Sequence, residues 1–222
     1  MLVASFLSLL LGLGPAPIAA ALILAGLAAA AAYLYSDRVA LALSRARPVS
    51  PDEEPRYHNL VEGLCIAAGL PKPELYVIDD AAPNAFATGR NPDHAALVVT
   101  RGLLDKLSRV ELEGVLAHEL SHIRRGDILV TTLAVTLLGL LPPALSTRLI
   151  GLTTSRRRES EADLSGVRLT RYPPGLIAAL EKLRRDETVV RPVPRATAHL
   201  WLESPRDHRD SIEERISALR DL

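Results

Sequence analysis

The sequence predicts an α+β chain, mostly helical, in which a small β-sheet is packed by one histidine-bearing helix and a membrane helix or hairpin precedes the folded unit. Three observations carry this. Residues 1–36 hold no charged side chain. Three short β-type stretches cluster between residues 74 and 100. From Ser108 onward the pattern is helical, interrupted by a second charge-free run, 128–147, and by a patternless stretch with two prolines, 188–198.

The 222 residues include 26 Lys+Arg and 26 Asp+Glu, so the formal net charge is zero. That balance argues against nucleic acid as a partner held by overall basicity, and against an acidic tail protein. The charges are not evenly spread: all lie outside the two neutral runs, so zero averages a greasy material and a highly charged one. The length suits one domain of about 170 residues with membrane-associated segments. We divide it into an N-terminal membrane segment and linker, 1–47, and a folded domain, 48–222, carrying 128–152 as an apolar membrane-associated hairpin insertion. The single cysteine excludes an internal disulfide framework. Cys65 lies among Leu60, Leu64, Ile66 and Ala67 and reads as a small buried hydrophobe.

Taken in order, residues 2–13 and 18–35 are apolar on either side of Gly14-Pro15-Ala16-Pro17. The second stretch, about 27 Å as helix, is long enough to cross a bilayer core. The region is one long helix broken at the prolines or a shallow hairpin. A secretory signal is disfavoured because no Lys or Arg precedes the apolar run. Arg38, Arg45 and Arg47 follow it directly, which places what comes next on the cytoplasmic side. Residues 50–70 read as an amphipathic helix stopping at Gly69 before Pro71. Strands are expected over 74–79, 84–90 and 95–100. Ser108 and Glu111 have the spacing of a capping box and Gly126 is a stop signal, which bounds a helix containing His118-Glu119-Leu120-Ser121-His122. Further helices are expected over 156–171, 175–186 and 211–222, the last with Ile212, Ile216 and Leu219 on one face.

His118 and His122, four apart, project from one helix face, so both imidazoles can reach one zinc ion at about 2.0–2.1 Å. Glu119 stands where a carboxylate can contact a metal-bound water. A catalytic zinc needs a third protein ligand and one open place. Glu159 is the candidate, and Asp163, one turn on, could hydrogen-bond a ligand histidine and fix its tautomer. A solvated, charged helix start is the competing reading of that stretch.

These residues resemble a known group. HELSH followed by Arg158-Glu159-x-x-Ala162-Asp163 is similar to the HtpX-type and CAAX prenyl protease group of membrane zinc peptidases. Asn84-Ala85-Phe86-Ala87-Thr88-Gly89 resembles a strand that HtpX-type members carry ahead of the zinc helix. The likeness covers about residues 57–170. It implies a zincin-like catalytic domain, one zinc held by His118, His122 and Glu159, and Glu119 as the catalytic carboxylate. Two departures stand out: Ser160 follows Glu159 where the group usually has an aromatic residue, and near the C-terminus His208 is followed by Arg209, with Arg215 one residue later than in the group's H-P-x-x-x-x-R pattern. From that faint echo His208 and Arg215 are expected to touch substrate or transition state.

Only 36 residues separate His122 from Glu159, yet both must meet at one metal. The chain between them must therefore cross a membrane an even number of times. Two crossings need about 40 apolar residues, and 128–152 supplies 25. We expect this segment not to span, but to dip in and return at Pro142-Pro143, lie on the surface, or pack into the protein. Arg124/Arg125 before it and Arg148 with Arg156–Arg158 after it agree with both ends in the cytoplasm. The expected activity is hydrolysis of peptide bonds in misfolded or membrane proteins at the cell membrane, in contact with lipid. The polypeptide would lie extended along an exposed sheet edge at Asn84, Ala85 and Phe86. The alternatives are a non-catalytic zinc-bearing membrane module that binds extended segments without cutting them, and a structural membrane protein in which the motif is incidental.

Overall fold

The computed structural model describes residues 16–130, 132, 156–186, 188 and 208–222. Helix α1, Ala16–Leu43, is continuous over 28 residues. Residues 17–35 are mostly exposed, whereas Ser36, Ala40 and Ser44 recur at helical spacing and are buried. The exposed part has the length of a bilayer core, about 30 Å. This is the one helix among the described residues that is long and apolar enough to cross a membrane. The stretch expected at 2–13, and with it the first limb of a hairpin, lies outside the described residues.

The last two turns of α1 dock on the sheet. Ala40 packs with Ile78, Phe86 and Val98, and strand β1, Arg47–Pro48, then pairs antiparallel with β2, Glu74–Ile78. The expected linker up to residue 47 is therefore structured, and the expected boundary at 47/48 falls inside a strand. Its small residues at i+4 spacing form a packing stripe, hidden in the sequence by the uniformly apolar run before them.

Helix α2 spans Pro55–Ala68, five residues later than the expected start at Ser50. Pro55 occupies the first helical position, where a missing N–H costs nothing, and 51–53 form a turn instead. Strands β3, Ala85–Asn91, and β4, His94–Thr100, complete a four-stranded sheet in the order β1-β2-β4-β3. β2 and β4 are parallel, while β3 and β4 are antiparallel. A short helix not expected from the sequence, α3 (Arg101–Lys106), follows β4 at once, with the Thr100 side chain accepting from Leu103 N at 3.2 Å.

Helix α4, Arg109–Arg125, carries the expected capping box: Ser108 N donates to Glu111 Oε2 at 2.7 Å, and Glu111 N to Ser108 Oγ at 3.5 Å. Gly126, in the left-handed region at φ 74°, ends it. Leu112, Val115, Leu116, Ala117, Leu120 and Ile123 are all buried in the main core, so α4 runs through the molecule's centre. Against it pack α5 (Arg156–Thr170) and α6 (Pro173–Arg185), and α7 (His208–Arg220) packs in turn on those two, with Ile212, Ile216 and Leu219 in the core. The chain resumes as helix from Asp127, with Ile128 and Thr132 buried against the sheet. Pro142-Pro143 and residues 133–155 lie outside the described residues, and with them most of the expected 128–152 hairpin.

Candidate metal centre

Helix α4 places His118 and His122 on one face, and α5 brings Glu159 opposite them. His118 Nε2 and His122 Nε2 are 3.2 Å apart, with Glu159 Oε2 3.5 Å from the first and Glu159 Oε1 3.9 Å from the second. Ligands about 2.05 Å from a tetrahedral centre are separated by about 3.3 Å, so the two imidazole nitrogens and the Glu159 carboxylate stand close to the spacing of a shared ion. They are the group among the described residues able to hold one. His118 is fully buried, while His122 and Glu159 are half-buried, so the centre opens on one side. An open fourth place is what distinguishes a catalytic from a structural site.

Each imidazole is oriented from behind. His118 Nδ1 donates to Asp163 Oδ1 at 2.7 Å, and His122 Nδ1 faces Asp127 Oδ2 at 3.3 Å. Both hydrogen bonds turn Nε2 toward the centre. Asp163 is itself clamped: Arg215 Nε donates to its Oδ2 and Arg215 Nη2 to its Oδ1, each at 2.7 Å. Asp163 is 2% exposed and Arg215 6%. A bidentate guanidinium–carboxylate pair of this kind has both geometry and charge satisfied.

The electrostatics favour a cation. Burial disfavours a charged His118 ring, but Asp163, and behind it Glu159, push its pKa up to about 9. Burial likewise opposes the Glu159 charge, yet His118 and His122 hold its pKa down at about 2. The surroundings that would keep a proton on His118 also favour a dication at its Nε2. Glu119 is 3% exposed, and burial raises its pKa despite the nearby histidines. A carboxyl poised above its usual range is suited to exchanging protons.

The helix–helix distance that closes the centre is set by Gly166, two turns after Glu159 on α5. A Cβ there would lie 2.9 Å from His118 N and 3.1 Å from Ala117 C.

Comparison with known proteins agrees with this geometry. The model of peptidase family M48 matches residues 51–146. The "Protease HtpX homolog" of Dictyoglomus thermophilum is 39% identical over 232 residues, covering 85% of this chain and 76% of that one. The chain belongs to peptidase family M48. Similar proteins of the same designation from Tropheryma whipplei (36% identical, 90% and 84% covered) and Thermoanaerobacter pseudethanolicus (37%, 86% and 80%) extend the match. The crystal structure of S. mikatae Ste24p has the same fold, with TM-score 0.55 at 20% identity, over 89% of this chain and 57% of that one. The chain is thus an M48 metalloprotease with a mostly helical, Ste24p-like fold and an apolar N-terminal helix fit to cross a membrane.

Not every expected residue of this M48 domain stands where a peptide would meet it. Arg215 does not reach outward; it is buried against Asp163, with Nη1 4.0 Å from Glu159 Oε2. Phe86 turns its ring to the α1 side of the sheet, while Ala85 and Ala87 pack on the main core. Asn84 is also buried, its N–H donating to Thr100 Oγ1 at 2.8 Å. β3 is an edge strand, as expected, but not an exposed one: α4 lies on one face and the end of α1 on the other, leaving Ala87 6% exposed. His208 begins α7, and its side chain lies outside the described residues. Asp127 and Gly166 were not singled out from the sequence. A carboxylate one residue past a helix stop, and a glycine seven positions after the candidate ligand, are the signals that could have shown them.

Proposed function

We propose that this chain is a zinc endopeptidase that cuts polypeptides presented at the cytoplasmic surface of the cell membrane, with the exposed part of α1 as anchor and the chain from its docked end onward as catalytic domain. The observation that carries this is the convergence of His118 Nε2, His122 Nε2 and Glu159 at the spacing of a tetrahedral site, with carboxylates behind both rings. His118, His122 and Glu159 would hold the ion. Zinc, when bound, supplies a Lewis acid for the scissile carbonyl and makes water more acidic. Glu119, next to His118 and raised in pKa by burial, accepts the proton of the attacking water and passes it to the leaving amine. Asp163, held by Arg215, keeps His118 in the tautomer that presents Nε2, and Asp127 does the same for His122.

The membrane assignment rests on α1. Its exposed part ends in Tyr33, Tyr35 and Arg38, with the Arg38 guanidinium 5.7 Å over the Tyr35 ring. Aromatic and cationic side chains anchor a span at the lipid–water boundary. Two turns later the same helix is docked on the sheet, so the peptidase domain sits close to the lipid surface. The arginines that follow the span support a cytoplasmic domain.

The test is incubation of the detergent-solubilised full chain with casein, with and without a zinc chelator, beside Glu119→Gln. Cleavage by the zinc-loaded wild type alone, with zinc still bound by Glu119→Gln, is expected. Casein cut equally well by that variant would remove Glu119 from the chemistry, and casein left intact by every sample would favour a binding module.

A further inference from the structure

The chain leaves the metal-binding helix through Arg125, Gly126 and Asp127. Gly126, at φ 74°, takes a left-handed turn that a side chain would resist, and this brings Asp127 back toward the helix it follows. Its Oδ2 stands 3.3 Å from His122 Nδ1. The same oxygen stands 3.2 Å from Arg125 Nε. Asp127 thus supports His122 from a turn, with one carboxylate oxygen shared between the ring and a guanidinium.

Arg125 reaches further. Its Nη2 donates to Glu161 Oε2 at 2.5 Å, and Glu161 lies on α5, two residues past Glu159. Arg157, also on α5, donates from Nε to Glu161 Oε1 at 2.8 Å, so both oxygens of that carboxylate are engaged. A guanidinium is planar and rigid, with its N–H groups at fixed angles. Two carboxylates paired with Nε and Nη2 of one arginine are therefore held at a set separation. One of them backs His122, and the other moves with Glu159. Arg158, again from α5, adds a second positive charge near Asp127. The side chains of Arg125, Asp127 and Glu161 are 24%, 17% and 39% exposed, and ion pairs this open contribute little to folding. What they can set is position.

We propose that Arg125 is a positioning residue of the metal centre, a strap that ties the carboxylate behind His122 to the helix that carries Glu159. The proposal rests on the peptidase reading above and adds what sets the third ligand against the second imidazole. That separation is the widest in the site: Glu159 Oε1 is 3.9 Å from His122 Nε2, against 3.2 Å between the two imidazole nitrogens. His118 has its own tie to α5, since Asp163 on that helix bonds its Nδ1 directly. For His122 the corresponding path to α5, among the described residues, runs through Asp127, Arg125 and Glu161. Without Arg125 that path is cut, and an ion has to draw His122 and Glu159 together unaided.

The test is the zinc affinity of the detergent-solubilised full chain, measured by competition with a chromophoric chelator, for the wild type, Arg125→Met, Arg125→Lys and Glu161→Gln. Losing the direct partner of a ligand costs about 10- to 100-fold in metal affinity. Arg125 stands one contact further out, and its replacement by Met should cost about 3- to 10-fold. Glu161→Gln frees α5 but leaves Asp127 its arginine, and should cost about 2- to 5-fold. Lysine keeps the charge without the rigid fork, so Arg125→Lys should not regain the wild-type affinity. In the Asp127→Asn/Glu161→Gln background, Arg125→Met should change affinity by less than about 2-fold, because both carboxylates through which it acts are gone. Wild-type affinity in Arg125→Met, Arg125→Lys or Glu161→Gln overturns the strap. A full loss on Arg125→Met in the doubly substituted background overturns action through the two carboxylates and assigns the effect to the fold at large, which thermal unfolding in chelator measures. A wild type that binds no zinc overturns the metal-centre reading and this proposal together, whereas a wild type that binds zinc and cuts no casein overturns the peptidase reading alone.

Discussion

Replacing Gly166 by alanine isolates the helix–helix distance from the ligands themselves. The added Cβ would meet His118 N at 2.9 Å and both Ala117 C and His118 Cα at 3.1 Å. All three are backbone atoms of α4, so no side-chain rotation relieves them. Restoring ordinary contact needs α5 to move away by about 0.5 Å. The alanine gains about 1 kcal/mol in helix propensity, and overpacking costs about 1–3 kcal/mol, so the net loss is about 0–2 kcal/mol and the domain still folds. The centre is less forgiving. Glu159 rides on the same helix about 10 Å away, and its oxygens already stand 3.5 and 3.9 Å from the imidazole nitrogens. Half an ångström more leaves the carboxylate short of a centre that both rings can share. Zinc affinity should fall about 10- to 100-fold, as it does when the support of a ligand is lost. Competition against a chromophoric chelator measures the affinity, and thermal unfolding in chelator measures the apo-protein's stability. An alanine variant that binds zinc as tightly as the wild type would show that Gly166 does not set the ligand spacing.

Two further substitutions probe the support around α4. Arg215→Met removes the cation from a buried carboxylate and should destabilise the fold by about 3–5 kcal/mol; urea unfolding of the chelated protein measures it, and a cost under about 1 kcal/mol would refute the buried ion pair. Lys182→Met tests the start of α4. Burial opposes the Glu111 charge, but Lys182 Nζ at 2.7 Å and the Ser108 groups hold its pKa below the usual value. A carboxyl depressed in the folded state stabilises above its unfolded pKa, and that stability fades as pH falls through the folded one. The variant should therefore be about 0.5–1 kcal/mol less stable at pH 7, with the deficit shrinking once pH drops below the usual glutamate range; an unchanging deficit would assign it to packing alone.

What could be read from the sequence was what local spacing encodes. The HELSH face, the capping box at Ser108, the stop at Gly126 and the strand pattern of 74–100 each depend on neighbours within about one turn or one alternation, and each is present where its local signal lies. What could not be read depends on distant segments. Arg215 suggested a substrate or transition-state contact through the faint echo of the H-P-x-x-x-x-R pattern, and only the approach of α7 to α5 gives it Asp163. Phe86 lies in a strand beside the site, yet the face it takes was settled by Ala40 from a segment expected to be linker.

The docking of α1 adds a constraint that the charge map alone did not supply. The neutral run 1–36 and the neutral run from 128 meet the same strand: Arg90 Nη1 donates to Leu34 O at 3.2 Å, and Thr132 bonds Thr88 and Gly89. β3 is therefore bracketed by the end of the candidate span and the start of the second apolar run. With α1 as the proposed span, the strand and the ligand-bearing helix packed on it lie next to the end of that span.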